Sequence, residues 1–210
     1  MTAGQAFGGA SRRQRWLTML GSLLLATTLG TGMAVGRADP LDAYNVFWTT
    51  PSRDSNGSMP LGNGDIGINL WIEVDGDLLF YISKTDAWDE HCRLLKLGRV
   101  RVTLTPTPFG KGRPFRQVLR LRQGTISVSA GAKGNETRIL AWVDANRPVI
   151  HVEHSSDQPV RFQAALEVWR TEKRPLAPEE SHGVDGFSAT EPPHSYPDTV
   201  RSDTQTNVTW

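Results

Sequence analysis

Cysteine is almost missing from this chain. Cys92 is the only one in 210 residues, which excludes an intrachain disulfide and any cysteine-built zinc cluster. The fold must therefore stand on packing. His91 adjoins Cys92, but neighbours in an extended chain point to opposite sides, so Cys92 reads as a small buried apolar residue rather than a nucleophile. Acidic residues are missing from the first 38 positions, which carry Arg12, Arg13, Arg15 and Arg37 around an apolar run from Trp16 to Val35. Gly36-Arg37-Ala38 closes that stretch with small residues at the positions a signal peptidase reads. Residues 1–38 are read as a secretory signal peptide cleaved before Asp39, with Ser11-Arg12-Arg13 as a partial twin-arginine signal. Gly21, Gly30 and Gly32 interrupt the apolar run and argue against a stable membrane anchor.

Removing those 38 residues leaves 172, enough for one domain with a real core. Taking four arginines from the 23 basic residues leaves 19 against 22 acidic ones, a net charge of −3. A slightly acidic domain without a basic run gives no support to nucleic-acid binding. No Gly-x-Ser-x-Gly elbow and no His-Glu-x-x-His occurs. His151 and His154 are three apart in a strand pattern, so they face opposite sides and cannot chelate one ion together. No metal or cofactor is expected.

What is present is alternation. Ile66, Ile68, Leu70 and Ile72 alternate with Gly67, Asn69, Trp71 and Glu73, and Leu78, Phe80 and Ile82 continue the pattern after Asp75-Gly76. A three-residue loop, Val74-Asp75-Gly76 with Gly76 left-handed, places Ile72 opposite Leu78, Leu70 opposite Phe80 and Ile68 opposite Ile82. Period-two runs recur through Val100–Leu104, Phe115–Leu121, Ile126–Ala130, Thr137–Val143, Val149–Glu153 and Val160–Trp169. About eight strands without a strand–helix rhythm predict an all-β antiparallel β-sandwich with long loops and at most one short helix, within Ser83–Leu97. The sandwich domain is drawn over 39–170. Residues 171–210 form a Pro-, Ser- and Asp-rich loop that ends as a further strand begins at Asn207-Val208, which suggests a truncated chain.

The Gly62-Asn63-Gly64-Asp65-Ile66-Gly67 loop cannot be a phosphate cradle, because a strand rather than a helix follows it. It either turns the chain tightly or shapes a ligand site. On a helix, Asp86, Asp89 and Glu90 would share a face, but carboxylates so close in sequence more often mark a solvated helix start than a catalytic pair. Trp71 and Tyr81 lie on the more polar face of the first hairpin. They either stack on a sugar ring or pack against a second layer.

Pro60-Leu61-Gly62-Asn63-Gly64, Gly67, the hairpin and Ser83-Lys84-Thr85-Asp86-Ala87-Trp88 resemble the N-terminal β-sandwich of glycoside hydrolase family 95, the α-L-fucosidase and α-L-galactosidase group. The likeness is closer to uncharacterised secreted bacterial relatives, whose pattern Trp142-Val143-Asp144-Ala145-Asn146-Arg147-Pro148-Val149 also resembles. It covers roughly residues 44–170. Lys84 and Ser83 depart from the Glu and Asn of family 95. The resemblance implies a large supersandwich that precedes an (α/α)6 barrel, with the catalytic carboxylate in that barrel. It implies a carbohydrate partner, a catalytic domain beyond Trp210, and Asn63, Asp65, Asp86 and Trp88 as substrate-binding or domain-interface residues. No catalytic residue is assigned in this chain. The alternative is a free-standing secreted carbohydrate-binding module.

Overall fold

The computed structural model describes residues 39–109, 112–180 and 193–199, together with the backbone of 201–202 and 208–209. Two units divide the chain, Met1–Arg37 and Ala38–Trp210, and the signal-peptide reading of residues 1–38 lies outside the described residues. The second unit is built on ten strands: β1 Val46–Trp48, β2 Met59–Gly62, β3 Ile66–Ile72, β4 Leu78–Trp88, β5 Leu94–Thr105, β6 Phe115–Arg120, β7 Thr125–Ala130, β8 Thr137–Val143, β9 Ile150–Ser156 and β10 Arg161–Glu167. They form two five-stranded antiparallel sheets, in the orders β1-β6-β7-β8-β9 and β10-β5-β4-β3-β2.

The predicted sandwich is the fold found, and its first hairpin has the predicted register. Ile72 pairs with Leu78, Leu70 with Phe80 and Ile68 with Ile82. Gly76 has φ +99, a backbone that a Cβ would strain. Alternation then delivers the core. Ile68, Leu70, Ile72, Leu78, Phe80 and Val102 of the second sheet face Leu119, Ile126, Val128, Ile139 and Ala141 of the first. Each of these side chains larger than alanine contributes about 1.5–3 kcal/mol by leaving water. One polar side chain crosses this layer: buried Gln117 donates from Nε2 to the Leu70 carbonyl at 3.4 Å.

The opposite face of the second sheet carries a smaller packed layer. Trp71 pairs with Leu79, and both are fully buried. The Tyr81 ring lies 5.2 Å from Trp71 and 5.8 Å from Trp169. Beside them Arg101 bridges Glu167 at 2.7 Å and Asp77 at 2.8 Å. Trp71 thus faces a second layer, the packing alternative for it, and is not available to a sugar.

One expectation, at Cys92, is corrected, and two others are narrowed. Ser83–Leu97 is not helical: β4 and β5 run through it as a long hairpin in which Trp88 pairs with Leu94. Asp86, Asp89 and Glu90 therefore share no helix face. Among the described residues helix is limited to three 3₁₀ turns, Pro40–Tyr44, Ser55–Gly57 and Pro178–Glu180, and none is long and apolar enough to cross a membrane. Cys92 is exposed rather than buried, because it occupies the tip of that hairpin with φ 60. The described part of 171–199 is also more than loop. Arg174–Pro175 pairs with His194–Ser195, and Arg170 holds Asp198 at 2.8 Å. Farther on, Val208–Thr209 pairs with Arg201–Ser202, in keeping with the strand expected there.

Candidate functional site

The Pro60–Gly67 stretch is the β2–β3 hairpin, closed by Asn63-Gly64-Asp65. Gly64 sits at φ +91, where glycine is at no disadvantage. The Asn63 side chain holds the turn from within, since its Oδ1 accepts the backbone N–H groups of Asp65 and Ile66, both at 2.9 Å. Its Nδ2 points the other way, donating to the carbonyls of Asp144 at 2.7 Å and Arg147 at 3.0 Å. Those carbonyls belong to the β8–β9 turn of the other sheet. Every hydrogen-bonding position of the Asn63 amide that a ligand would use is thus occupied by backbone, and the residue positions the site rather than contacting a substrate.

The β8–β9 turn is held by its own acid. The Asp144 carboxylate accepts from Arg147 Nη2 at 2.7 Å and from the Asn146 N–H at 2.9 Å. The Arg147 guanidinium, then the Asn146 N–H, hold its carboxyl down at about 2. His151 stacks on Trp142 at 4.6 Å and 7°, its Nε2 3.8 Å from the same carboxylate.

On the outer side of the β2–β3 turn, Thr85 N–H donates to the Asp65 carbonyl at 2.9 Å, docking the end of β4 beside it. Lys84 Nζ then reaches Asp65 at 3.0 Å and Asp86 at 2.7 Å. The ammonium pulls the Asp86 carboxyl below the usual carboxylate range, and the two acids, Asp86 first, hold the ammonium protonated. Behind this triad lies an apolar recess of about 220 Å³, lined by Gly62, Gly64, Ile66, Gly67, Lys84 and Leu94. Trp88 follows on β4. It is 58% exposed, yet its orientation is fixed because Nε1 donates to the Thr85 carbonyl at 2.7 Å.

Asp65 and Asp86 are therefore brought together by Lys84, with Trp88 next along the same strand, while Asn63 serves the turn behind them. Sequence reasoning missed Lys84, visible only as a departure from a pattern, and the pairing of Asn63 with Asp144 and Arg147. A larger hollow of about 570 Å³ lies on the outer face of the first sheet, among Arg120, Ser127, Arg138 and Glu153. Arg138 there is already taken by Glu136 at 2.8 Å, and none of the motif residues reaches it. Size alone does not make it the site. Among the described residues no group of His, Cys, Asp and Glu could hold a metal ion.

The two stretches with recognisable patterns, 60–67 and 142–149, form one end of the sandwich through Asn63. The family DUF5703_N, described as "Domain of unknown function (DUF5703)", matches residues 47–210. The chain belongs to this family. No curated protein matches it. The match begins at Phe47 in β1, so the DUF5703_N domain takes in both sheets and the whole candidate site.

The depressed Asp144 carboxyl makes the DUF5703_N site acid-sensitive. Unfolded, an aspartate titrates at about 3.9. Folded Asp144 binds its proton less readily, so it favours the folded turn above about pH 4, and that contribution disappears as the pH falls from about 4 toward about 2. A carboxyl-detected NMR titration should place its midpoint near 2 and move it upward in Arg147→Ala. A wild-type midpoint near 4 would contradict the Arg147 contact.

Proposed function

We propose that this domain is the accessory sandwich of an exported glycoside hydrolase, and that the end built on Asn63 presents Trp88, Asp65 and Asp86 to carbohydrate. The observation that carries the reading is Asn63 itself. It ties together the two segments whose patterns resemble the family 95 group and its secreted relatives. Beside them stands an exposed indole whose own N–H is already anchored, next to an ion triad whose Asp65 and Asp86 side chains are 45% and 72% exposed. An aromatic face for the apolar side of a sugar ring and charged acceptors for its hydroxyls are what sugar binding uses. Export rests on the pattern of residues 1–38.

Asp86 is poorly suited to be the proton donor of glycoside cleavage. A glycosidic acid needs its pKa raised so that it carries a proton at working pH, and Lys84 pushes Asp86 the other way. The resemblance places the cleaving groups in a separate barrel.

The test is affinity electrophoresis of the chain in gels containing fucose- or galactose-bearing polysaccharides. Wild type should be retarded, and Trp88→Ala should lose that retardation while keeping its melting temperature, because the ring is mostly exposed. Unchanged retardation in Trp88→Ala, or none for wild type in any of these gels, would remove the carbohydrate reading.

A further inference from the structure

The inference concerns β10, the outermost strand of the second sheet. Among the described residues it pairs with β5 alone, so one row of its backbone groups is open. The other three sheet edges are blunted. β1 has three residues, β2 contains Pro60, and β9 carries His151, Glu153 and Ser155 on its outward side. Short strands, prolines and charges are how sheet edges avoid unwanted pairing. β10 has seven residues, Arg-Phe-Gln-Ala-Ala-Leu-Glu, with no proline and no lysine.

Its exposure is unusual as well. Phe162 and Ala164 point to the core side, as their partners Leu104 and Val102 do. Leu104 and Val102 are buried, whereas Phe162 is 39% exposed and Ala164 is exposed. The first sheet reaches Phe162 through the His154 ring, at 5.8 Å, and still leaves it partly open.

The strand is also complementary to itself. Run antiparallel to a copy about a two-fold axis at Ala164, it sets Arg161 opposite Glu167, Phe162 opposite Leu166 and Gln163 opposite Ala165. Arg161 has no ion pair among the described residues, and the Glu167 carboxylate, already holding Arg99 and Arg101, keeps 31% of its side chain exposed. Opposite charges meet at both ends and apolar side chains meet in the middle, on the face the core leaves open. That arrangement closes after two copies.

We propose that two copies of this chain associate through antiparallel β10–β10 pairing centred on Ala164, joining their second sheets into one ten-stranded sheet. Opposed residues of an antiparallel pair have Cα atoms about 4.5–5.5 Å apart, within disulfide reach. The test uses the 210-residue chain with Cys92→Ser, so that only introduced thiols react. Ala164→Cys should give a covalent dimer under mild oxidation. Gln163→Cys mixed with Ala165→Cys should cross-link more than either alone, and Ser129→Cys on the other sheet should remain uncoupled. Phe162→Lys should raise the dimer dissociation constant in sedimentation by at least about tenfold. A chain that sediments as a monomer at all concentrations, or cross-links that ignore this register or appear equally at Ser129→Cys, would overturn the proposal. The cysteine variants keep it testable even if Phe162→Lys folds poorly.

Discussion

Asn63→Asp should cost about 2–4 kcal/mol of folding free energy, more than Asn63→Ala. The alanine variant loses all four hydrogen bonds of the amide, two donated and two accepted, and leaves the carbonyls of Asp144 and Arg147 without their donor but facing nothing that repels them. The aspartate keeps the bonds from Asp65 and Ile66 but turns a carboxylate oxygen toward those same carbonyls, so a donor is replaced by repulsion. Urea unfolding followed by tryptophan fluorescence measures both variants. Equal stability of wild type and Asn63→Asp would mean that the two turns do not depend on this contact. A second readout is local: the 142–149 backbone should lose hydrogen-exchange protection in both variants.

The second large effect is expected at Trp71. It is 1% exposed, in the small layer on the outer face of the second sheet, and its Nε1 is buried with no hydrogen-bond partner among the described residues. Trp71→Ala empties the centre of that layer and should cost about 3–5 kcal/mol. Trp71→Phe also loses volume, but it removes an unpaired donor whose burial is itself unfavourable. It should therefore cost far less, about 1–2 kcal/mol. The two melting curves separate the terms. If Trp71→Ala falls within about 1 kcal/mol of wild type, the outer layer carries little of the stability.

These two residues also show what the sequence made legible. The β3–β4 hairpin is readable because Asp75-Gly76 and the alternation on either side demand the same register, the one that sets Ile68, Leu70 and Ile72 opposite Ile82, Phe80 and Leu78. Trp71 was readable as far as its face but not its fate, because burial on the outer face depends on Tyr81, Trp169 and the Arg101 cluster, which arrive from separate strands. Asn63 was singled out for its loop, yet its partners are backbone carbonyls, which carry no side-chain signature in a sequence. Ser83–Leu97 is left open between helix and strand because its polar run, rich in carboxylates, resembles a helix start. Its strand geometry is imposed by pairing across the hairpin and by Thr85 docking on Asp65. The Arg170–Asp198 contact belongs to a stretch whose prolines hide any period.

The order of the sheets bears on how the chain assembles. Strands β2 to β5 are neighbours in sequence and in space, as are β6 to β9, so each block can form as a local meander with short loop closures. Neither sheet is complete on its own terms. The first takes its edge strand β1 from ahead of the other block, with Val46 opposite Leu119, and the second takes β10 from behind it, with Arg161 opposite Thr105. Each meander is thus locked by a strand that has to travel around its partner. The two visitors are the strands expected to dock last, since distant pairings wait on the greatest loss of chain freedom. Until β10 docks, the Arg99 and Arg101 side chains lack the carboxylate of Glu167 that joins them. Its arrival therefore completes the outer ion cluster and the set of five strands in one event.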